Sequence, residues 1–485
     1  MSTSADPRRA HRPLAGSVRL VALAALLAAP ALAGAAPRTL RLDYVHLGDA
    51  REERFALERL VVEPLPWPGD PERALDDTNL GKYRFEVVDR ETRRPLYSRG
   101  FASIFGEWEL TGEAATTERA FGESLRFPMP ERPVQVVVQK RDRANDFREV
   151  WSVVVDPADP AVDTSPPPAA GSLLRLQESG APADKVDFLI LGDGYTAAER
   201  GKCESDARRL MAILFDVEPF RTRRADFNVW GLCPEAAESG VSRPSLGVHR
   251  RSPAGATYDA FGVERYVLTF DNRAFRDLAS QAPYEFVELL VNGRTYGGGG
   301  IFGQFGTVAA DSLWAPYIFV HEFGHHFAAL ADEYYTSDTA NAPSEARVEP
   351  WEPNVTATAD PERLKWRDLV APGTPVPTPW GKEAFEKRSR EIQAERRRIR
   401  AERRPEEEMD RLFTTERAEE ERRLGAEKYA RTVGAFEGAN YEAKGYFRPQ
   451  ADCIMFTRNR VPFCAVCRRA IERVIDLYSK GQATR

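Results

Sequence analysis

The chain has 485 residues, 42% of them hydrophobic, 10% aromatic and 29% charged, with five cysteines and a formal net charge of −6. That apolar content supports large buried cores and, at roughly 100–200 residues per domain, two or three domains; it excludes wholesale disorder, a collagen-like repeat and a small disulfide scaffold. The near balance of 68 basic against 74 acidic residues provides no global field for nucleic acid, so no nucleic-acid partner is expected.

The first predicted element is a leader. Arg8, Arg9, Arg12 and Arg19 precede an apolar run from Val21 to Ala33, followed by small residues and Pro37. This pattern reads as a secretory signal peptide over residues 1–36, and the run is too short for a membrane anchor, which needs about 18 or more apolar residues. Its removal takes away four arginines and Asp6, moving the formal charge to about −9. The expected product is a secreted or periplasmic monomer with no stable membrane insertion. In an oxidising compartment Cys203, Cys233, Cys453, Cys464 and Cys467 become disulfide candidates. The last three resemble part of a zinc ribbon but have no fourth Cys or His nearby, and a structural zinc site takes four protein ligands. One bridge from Cys453 to Cys464 or Cys467 is expected, with Cys203 to Cys233 as a second.

Residues 38–160 alternate short apolar and polar runs, such as Thr39 to Tyr44 and Val134 to Gln139, between Pro, Gly and Asp turns. That period predicts an antiparallel β-sandwich, and with no cluster of catalytic residue types in it the domain reads as an accessory one. A stiff Pro-rich linker, 161–172, contains Pro166, Pro167 and Pro168. Residues 173–485 are of mixed α and β character, so the fold class is α+β. Strands are predicted at Val186–Leu191, Asn228–Leu232, Tyr266–Phe270 and Phe286–Val291, and a helix capped by Thr196 and Glu199 runs to Phe215. Gly297, Gly298, Gly299 and Gly300 lack the Gly-Lys-Ser/Thr ending of a phosphate loop. They read equally as a strand lying beside an extended substrate or as a bulge or turn. In residues 382–428, 29 of 47 residues are charged, and Pro405 divides strong helix formers into two expected solvated helices inserted in the second domain.

Only six histidines occur in the chain, and three lie in the window His321-Glu322-Phe323-Gly324-His325-His326. With Ser312 as cap and Pro316 in the first turn, a helix is expected from about Leu313 through His326. His321 and His325 then project from one face, as two imidazoles converging on one zinc ion must, while Glu322 reaches a water bound to the ion. His326 points about 100° away around the helix and reads as packing or outer support. A catalytic zinc takes a third protein ligand, for which Asp332, Glu333 and a more distant residue are the candidates. On a continuing helix Asp332 would lie about 16 Å beyond His321, so its use requires the chain to turn back after about Ala329. Tyr334 and Tyr335 are candidates for supporting the histidines.

The stretches HEFGHHFAALADEYY, LILGDGYTAAE at 189–199, YGGGGIF at 296–302 and DCIMFTRNRVPFCAVCRRAI at 452–471 resemble the IgA peptidase family of secreted zinc metallopeptidases. The resemblance runs from about Asp187 to Leu477, and the N-terminal sandwich resembles that family's accessory domain. It implies a zincin, metzincin-like fold with a mixed sheet over an active-site helix. By the same resemblance His321, His325 and Asp332 hold one Zn²⁺, Glu322 is the catalytic glutamate, and Met455 lies in a methionine turn under the metal. Two departures stand out: Ala328 replaces the glycine that would mark a metzincin helix end, and the acid is twelfth in the motif where the third histidine is usually eleventh.

The function expected is a secreted zinc endopeptidase acting on protein or peptide substrates. Its rivals are a zinc amidase or esterase on cell-wall material, and a catalytically inactive zincin-fold binding module. The family name does not transfer immunoglobulin specificity to this cleft.

Overall fold

Alternating apolar residues build the first part of the chain into antiparallel strands: β1 (Arg38–Gly48), β2 (Glu53–Pro66), β3 (Tyr83–Asp89), β4 (Pro95–Phe101), β5 (Arg119–Pro128), β6 (Val134–Arg141) and β7 (Phe147–Val155). A computed structural model describes residues 37–341 and 347–480, so the leader expected at 1–36 lies outside the described residues. The strands form two sheets, ordered β2-β1-β5 and β4-β3-β6-β7. Leu40, Leu42 and Tyr44 of the first and Phe85, Val87, Val136 and Val138 of the second are buried in one shared core. A five-residue helix, α1 (Ile104–Trp108), follows β4, its Ser103 cap accepting the Gly106 N–H at 2.8 Å.

The next part alternates strands and helices: β8 (Leu174–Gln177), β9 (Val186–Asp193), α2 (Arg200–Leu214), β10 (Phe227–Leu232), β11 (Ala256–Thr257), β12 (Leu268–Thr269), α3 (Asn272–Ala279), β13 (Phe286–Val291), β14 (Gly298–Ile301), β15 (Phe305–Ala309) and α4 (Ala315–Ala328). Six of these strands make one mixed sheet, ordered β14-β15-β13-β9-β10-β8. Its four central strands are parallel, with β14 and β8 antiparallel at the edges. Every residue of β9 and β13 is buried, so both read as largely apolar runs rather than as alternation, broken only by the buried Asp187 and Asp193 of β9 and Glu288 of β13. The expected capping box forms, with the Thr196 N–H on Glu199 Oε2 at 3.0 Å, and leads through one tight turn into α2.

Close approach decides where α4 lies. A Cβ on Gly298 would stand 2.5 Å from Ile318 Cγ2, and one on Gly300 would stand 2.5 Å from the Glu322 carbonyl oxygen and 2.9 Å from His325 Cβ. Only a strand without side chains lets α4 settle this close. On the other face Gly297 and Gly299 meet the rings of Tyr258 and Tyr266. The segment before β12 also clasps the edge: the Gly298 N–H donates to Arg265 O, and Gly298 O accepts from the Val267 N–H, both at 3.1 Å. The strand expected over Tyr266–Phe270 therefore shortens to Leu268–Thr269, because its first residues are spent on β14.

The linker region is pinned at both ends. The Val62 N–H donates to Asp163 O at 2.8 Å, and the Ala170 N–H donates to Gln281 Oε1 at 2.9 Å. Arg126 spans the two halves, donating to Tyr284 O at 2.7 Å with its guanidinium 3.5 Å above the Tyr284 ring. Residues from Pro37 onward accordingly form one compact unit.

The charged segment folds as α5 (Lys382–Ala401) and α6 (Glu406–Gly425), with Pro405 at the N-cap of the second. These helices are less solvated than their composition implies. Phe385, Ile399, Met409, Phe413 and Leu424 join the main core and Ile392 is buried as well, while pairs such as Arg388–Glu419 at 2.6 Å occupy the outside. The Gly381 N–H donates to Glu427 Oε1 at 2.9 Å, joining the two feet of the hairpin. The chain closes with β16 (Phe436–Ala439), β17 (Glu442–Arg448) and α7 (Ala465–Tyr478). Among the described residues no helix is long and apolar enough to cross a membrane.

Two glycine substitutions separate close packing from chain entropy. Gly201 on α2 has nothing within 4 Å of an added Cβ, whereas Gly300 is blocked by α4. Thermal or denaturant unfolding is expected to show Gly201→Ala gaining up to about 1 kcal/mol and Gly300→Ala losing about 1–3 kcal/mol.

Candidate metal centre

Helix α4 starts two residues later than its cap signal suggests. Ser312 Oγ accepts the Trp314 N–H at 3.2 Å, Trp314 occupies the N-cap position, and Pro316 falls in the first turn. His321 and His325 lie one turn apart on this helix, which ends at Ala328. Ala329 adopts a left-handed conformation, φ 56°, with its N–H on His325 O at 3.1 Å. An alanine thus does the work that glycine usually does at a helix end. The chain reverses there and brings Asp332 back to the histidines.

Three donor atoms converge as a result. Asp332 Oδ1 stands 3.0 Å from His321 Nε2 and 3.2 Å from His325 Nε2, and the two Nε2 atoms are 3.1 Å apart. Neighbouring ligands on a tetrahedral ion with bonds of about 2.0–2.1 Å are separated by roughly 3.3 Å, so the two imidazoles and the carboxylate fit one metal ion. The outer nitrogens are committed elsewhere: His321 Nδ1 donates to Ile454 O at 2.9 Å, and His325 Nδ1 donates to Leu330 O. Once an Nε2 proton is lost, that arrangement fixes the tautomer whose Nε2 lone pair faces inward. The Tyr441 hydroxyl donates to Asp332 Oδ2, and the Asn440 N–H holds Asp332 O at 3.0 Å.

Electrostatics follow from this clustering. Burial alone would raise the Asp332 carboxyl, yet the charge of His325 and the hydrogen bonds from both imidazoles hold it well below the usual carboxylate range. Burial would lower His325, but Asp332 beside it raises it to about 9 in the metal-free protein. Burial raises Glu322, with His321 and His325 pulling back.

Glu322 opens into a cleft of about 520 Å³ also lined by Arg265, Tyr296, Tyr317, His321, Tyr334 and Arg458. Phe385, Ser389 and Gln393 from α5 and Glu416 and Glu420 from α6 complete its wall, so the charged insertion flanks the site. Arg458 lies 3.9 Å above the Phe413 ring and donates to Glu416 Oε2 at 2.7 Å. From the first half of the chain, Glu107 on α1 comes within electrostatic reach of His325 and Asp332.

The other candidate residues divide between this site and its surroundings. Tyr334 stacks along His321, with ring centroids 6.2 Å apart, while Tyr335 turns away to pack with Phe385 and Phe456. Met455 is fully buried, with its sulfur under Gly324 of α4. His326 is also fully buried; it donates from Nδ1 to Ile301 O at 3.2 Å and accepts the Val287 N–H on Nε2 at 3.1 Å. Burial depresses it to about 3, so it works as a neutral clamp between α4 and the sheet. Cys203 and Cys233 form a disulfide. The expected bridge from Cys453 is absent: Cys453, Cys464 and Cys467 are free thiols. Their sulfurs surround the Glu333 carboxylate instead, so Glu333 leaves the histidine site to Asp332. Sequence reasoning missed Tyr441, Arg265 and Glu107, which carry no local signal. It also missed Tyr317, whose hydroxyl lies 3.1 Å from His321 Nδ1 and whose position one turn before His321 is such a signal.

No curated protein matches the chain. Residues 34–152 match the family described as Peptidase M64 N-terminus, and residues 174–475 match IgA Peptidase M64. With more than half of its length matched by the second of these, the chain belongs to the IgA peptidase M64 family and is a metallopeptidase.

Proposed function

We propose that the protein is an exported zinc endopeptidase of zincin architecture in which Glu322 is the general base. The observation that carries this reading is the convergence of His321 Nε2, His325 Nε2 and Asp332 Oδ1 to within 3.0–3.2 Å beside a glutamate open to the cleft. Two imidazoles and one carboxylate suit zinc, with a position left for water or substrate. Bound there, the ion supplies Lewis-acid polarisation of the scissile carbonyl and lowers the pKa of its water. Glu322 takes the proton from the attacking water and returns it to the leaving amine, a transfer its place one residue around the helix from His321 permits. Asp332 would complete the donor set beside the two neutral imidazoles and offset part of the ion's charge, while Tyr441 and the Asn440 N–H hold Asp332.

Gly298 already exchanges two bonds with Arg265 and Val267, so an extended substrate pairing with the glycine strand is confined to Gly300. The shared core of the two N-terminal sheets supports reading them as an accessory sandwich over residues 38–160, joined by the linker 161–172 to a peptidase domain from 173 onward. The Cys203–Cys233 disulfide supports export by the 1–36 leader, since such bonds persist in oxidising compartments.

Three variants test the roles. Glu322→Gln is expected to keep its zinc by metal analysis and to lose about 10²–10⁴-fold in hydrolysis of a peptide library. His321→Ala and His325→Ala are expected to lose the catalytic ion. Full hydrolysis by a verified Glu322→Gln preparation would overturn the mechanism.

Metal affinity has a defined pH dependence. In the metal-free protein His325 holds its proton up to about pH 9, and the proton competes with the ion. Affinity at the histidine site should therefore rise about tenfold per pH unit from 7 towards 9 and level off above, with close to one proton released per ion at pH 7. Calorimetry in buffers of different ionisation heat reads that proton. A pH-independent affinity would show that His325 is not a ligand.

A further inference from the structure

The three free cysteines and Glu333 stand together behind the histidine site. Cys464 Sγ and Cys467 Sγ are 3.4 Å apart, Cys453 Sγ and Cys467 Sγ 3.9 Å, and Cys467 Sγ and Glu333 Oε1 3.5 Å. All four donor atoms lie within 4.8 Å of one another, and all four residues are buried. A disulfide would bring two sulfurs to about 2.05 Å. A tetrahedral zinc ion with Zn–S near 2.3 Å and Zn–O near 2.0 Å instead separates sulfurs by roughly 3.8 Å and sulfur from oxygen by roughly 3.5 Å. The observed spacings follow the second pattern.

Two independent features point to a cation. Backbone amides aim at the sulfurs: the Cys464 N–H reaches Cys453 Sγ at 3.2 Å, the Met455 N–H reaches the same atom at 3.5 Å, and the Cys467 N–H reaches Cys464 Sγ at 3.4 Å. Cys464 is also the N-cap of α7, where the helix dipole favours a thiolate. The second feature is Glu333, whose side chain is wholly buried. Its Oε1 accepts from Asn354 Nδ2 at 3.0 Å, but its Oε2 has no hydrogen-bond partner among the described residues. A buried carboxylate left half-satisfied is costly unless a charge is supplied. Arg448, buried and in electrostatic contact with Glu333 and Cys453, supplies only one.

We propose that Glu333, Cys453, Cys464 and Cys467 form a second metal site, a closed four-ligand centre for zinc with a structural role. Three thiolates and a carboxylate in tetrahedral array select zinc among common divalent ions. The site ties three segments together: the loop after α4, the turn carrying Met455, and the start of α7. Asp332 and Glu333 are consecutive residues that serve different centres. Ile454, whose carbonyl oxygen holds His321, follows Cys453 directly. An ion at the cysteines therefore positions two groups of the histidine site without touching substrate. It also shields three thiols from oxidation outside the cytoplasm.

Metal counting on the full chain tests this without reference to hydrolysis. The wild type is expected to hold two zinc ions per chain, and the His321→Ala/His325→Ala double variant to hold one. In that variant, cobalt loaded in place of zinc should give a thiolate-to-metal charge-transfer band. Titrating the wild type with an organomercurial, which needs no folded variant, should release one zinc per three thiols. A single zinc per wild-type chain with two of the three cysteines already oxidised would overturn the proposal, as would a double variant that folds and holds no metal.

Discussion

The centre depends on one reversal of the chain. Continued as helix, residue 332 would be carried about 16 Å past His321, and no third donor could come from this segment. Ala329 pays about 1–2 kcal/mol to stand in the left-handed region, and that strain is held by what surrounds it. The Leu330 N–H closes on Gly324 O at 3.3 Å, Asn354 bonds both Ala331 N–H and Ala331 O, and the Glu333 N–H reaches Met455 O at 2.9 Å. Asp332 is thus fixed from both sides before any ion arrives. That preorganisation lets a short loop present a carboxylate rigidly beside the two imidazoles.

The helix that carries the histidines is seated with matching care. Missing side chains at Gly298 and Gly300 admit it against the edge strand, and His326 bonds it to β13 and β14 with both ring nitrogens. Neighbouring histidines thus face opposite ways, His325 towards Asp332 and His326 towards the sheet. Burial depresses the one to about 3, and Asp332 raises the other to about 9. Position around the helix decides which face each meets, and the environment decides its proton.

Much of this was legible in the chain wherever the determining contacts are local. His321, Glu322 and His325 follow from helical spacing, β13 from a short run apolar at every position but Glu288, and α5 and α6 from composition with Pro405 between them. What escaped depends on distant partners. Tyr441 reaches Asp332 across 109 residues and leaves no trace near the motif. No Cys or His near the cysteine trio makes a group of four, and Glu333, which stands beside it in the fold, lies 134 residues before Cys467. Tyr266 and Val267 have strand-like side chains, yet their backbone is taken up by the glycine edge, so propensity gave way to tertiary pairing. The departure at Ala328 and Ala329 shows the same limit, since the residue type alone does not announce a helix end.

The hairpin of α5 and α6 enters and leaves the fold at adjoining points, its feet joined at Gly381 and Glu427. It contributes Phe385, Ser389, Gln393, Glu416 and Glu420 to the cleft wall but none of the atoms at the histidine centre. In evolutionary terms this is a graft point. Substitutions within the hairpin can remould the groove wall while leaving the two imidazoles and the carboxylate where they stand, so one three-donor centre can sit under many different grooves.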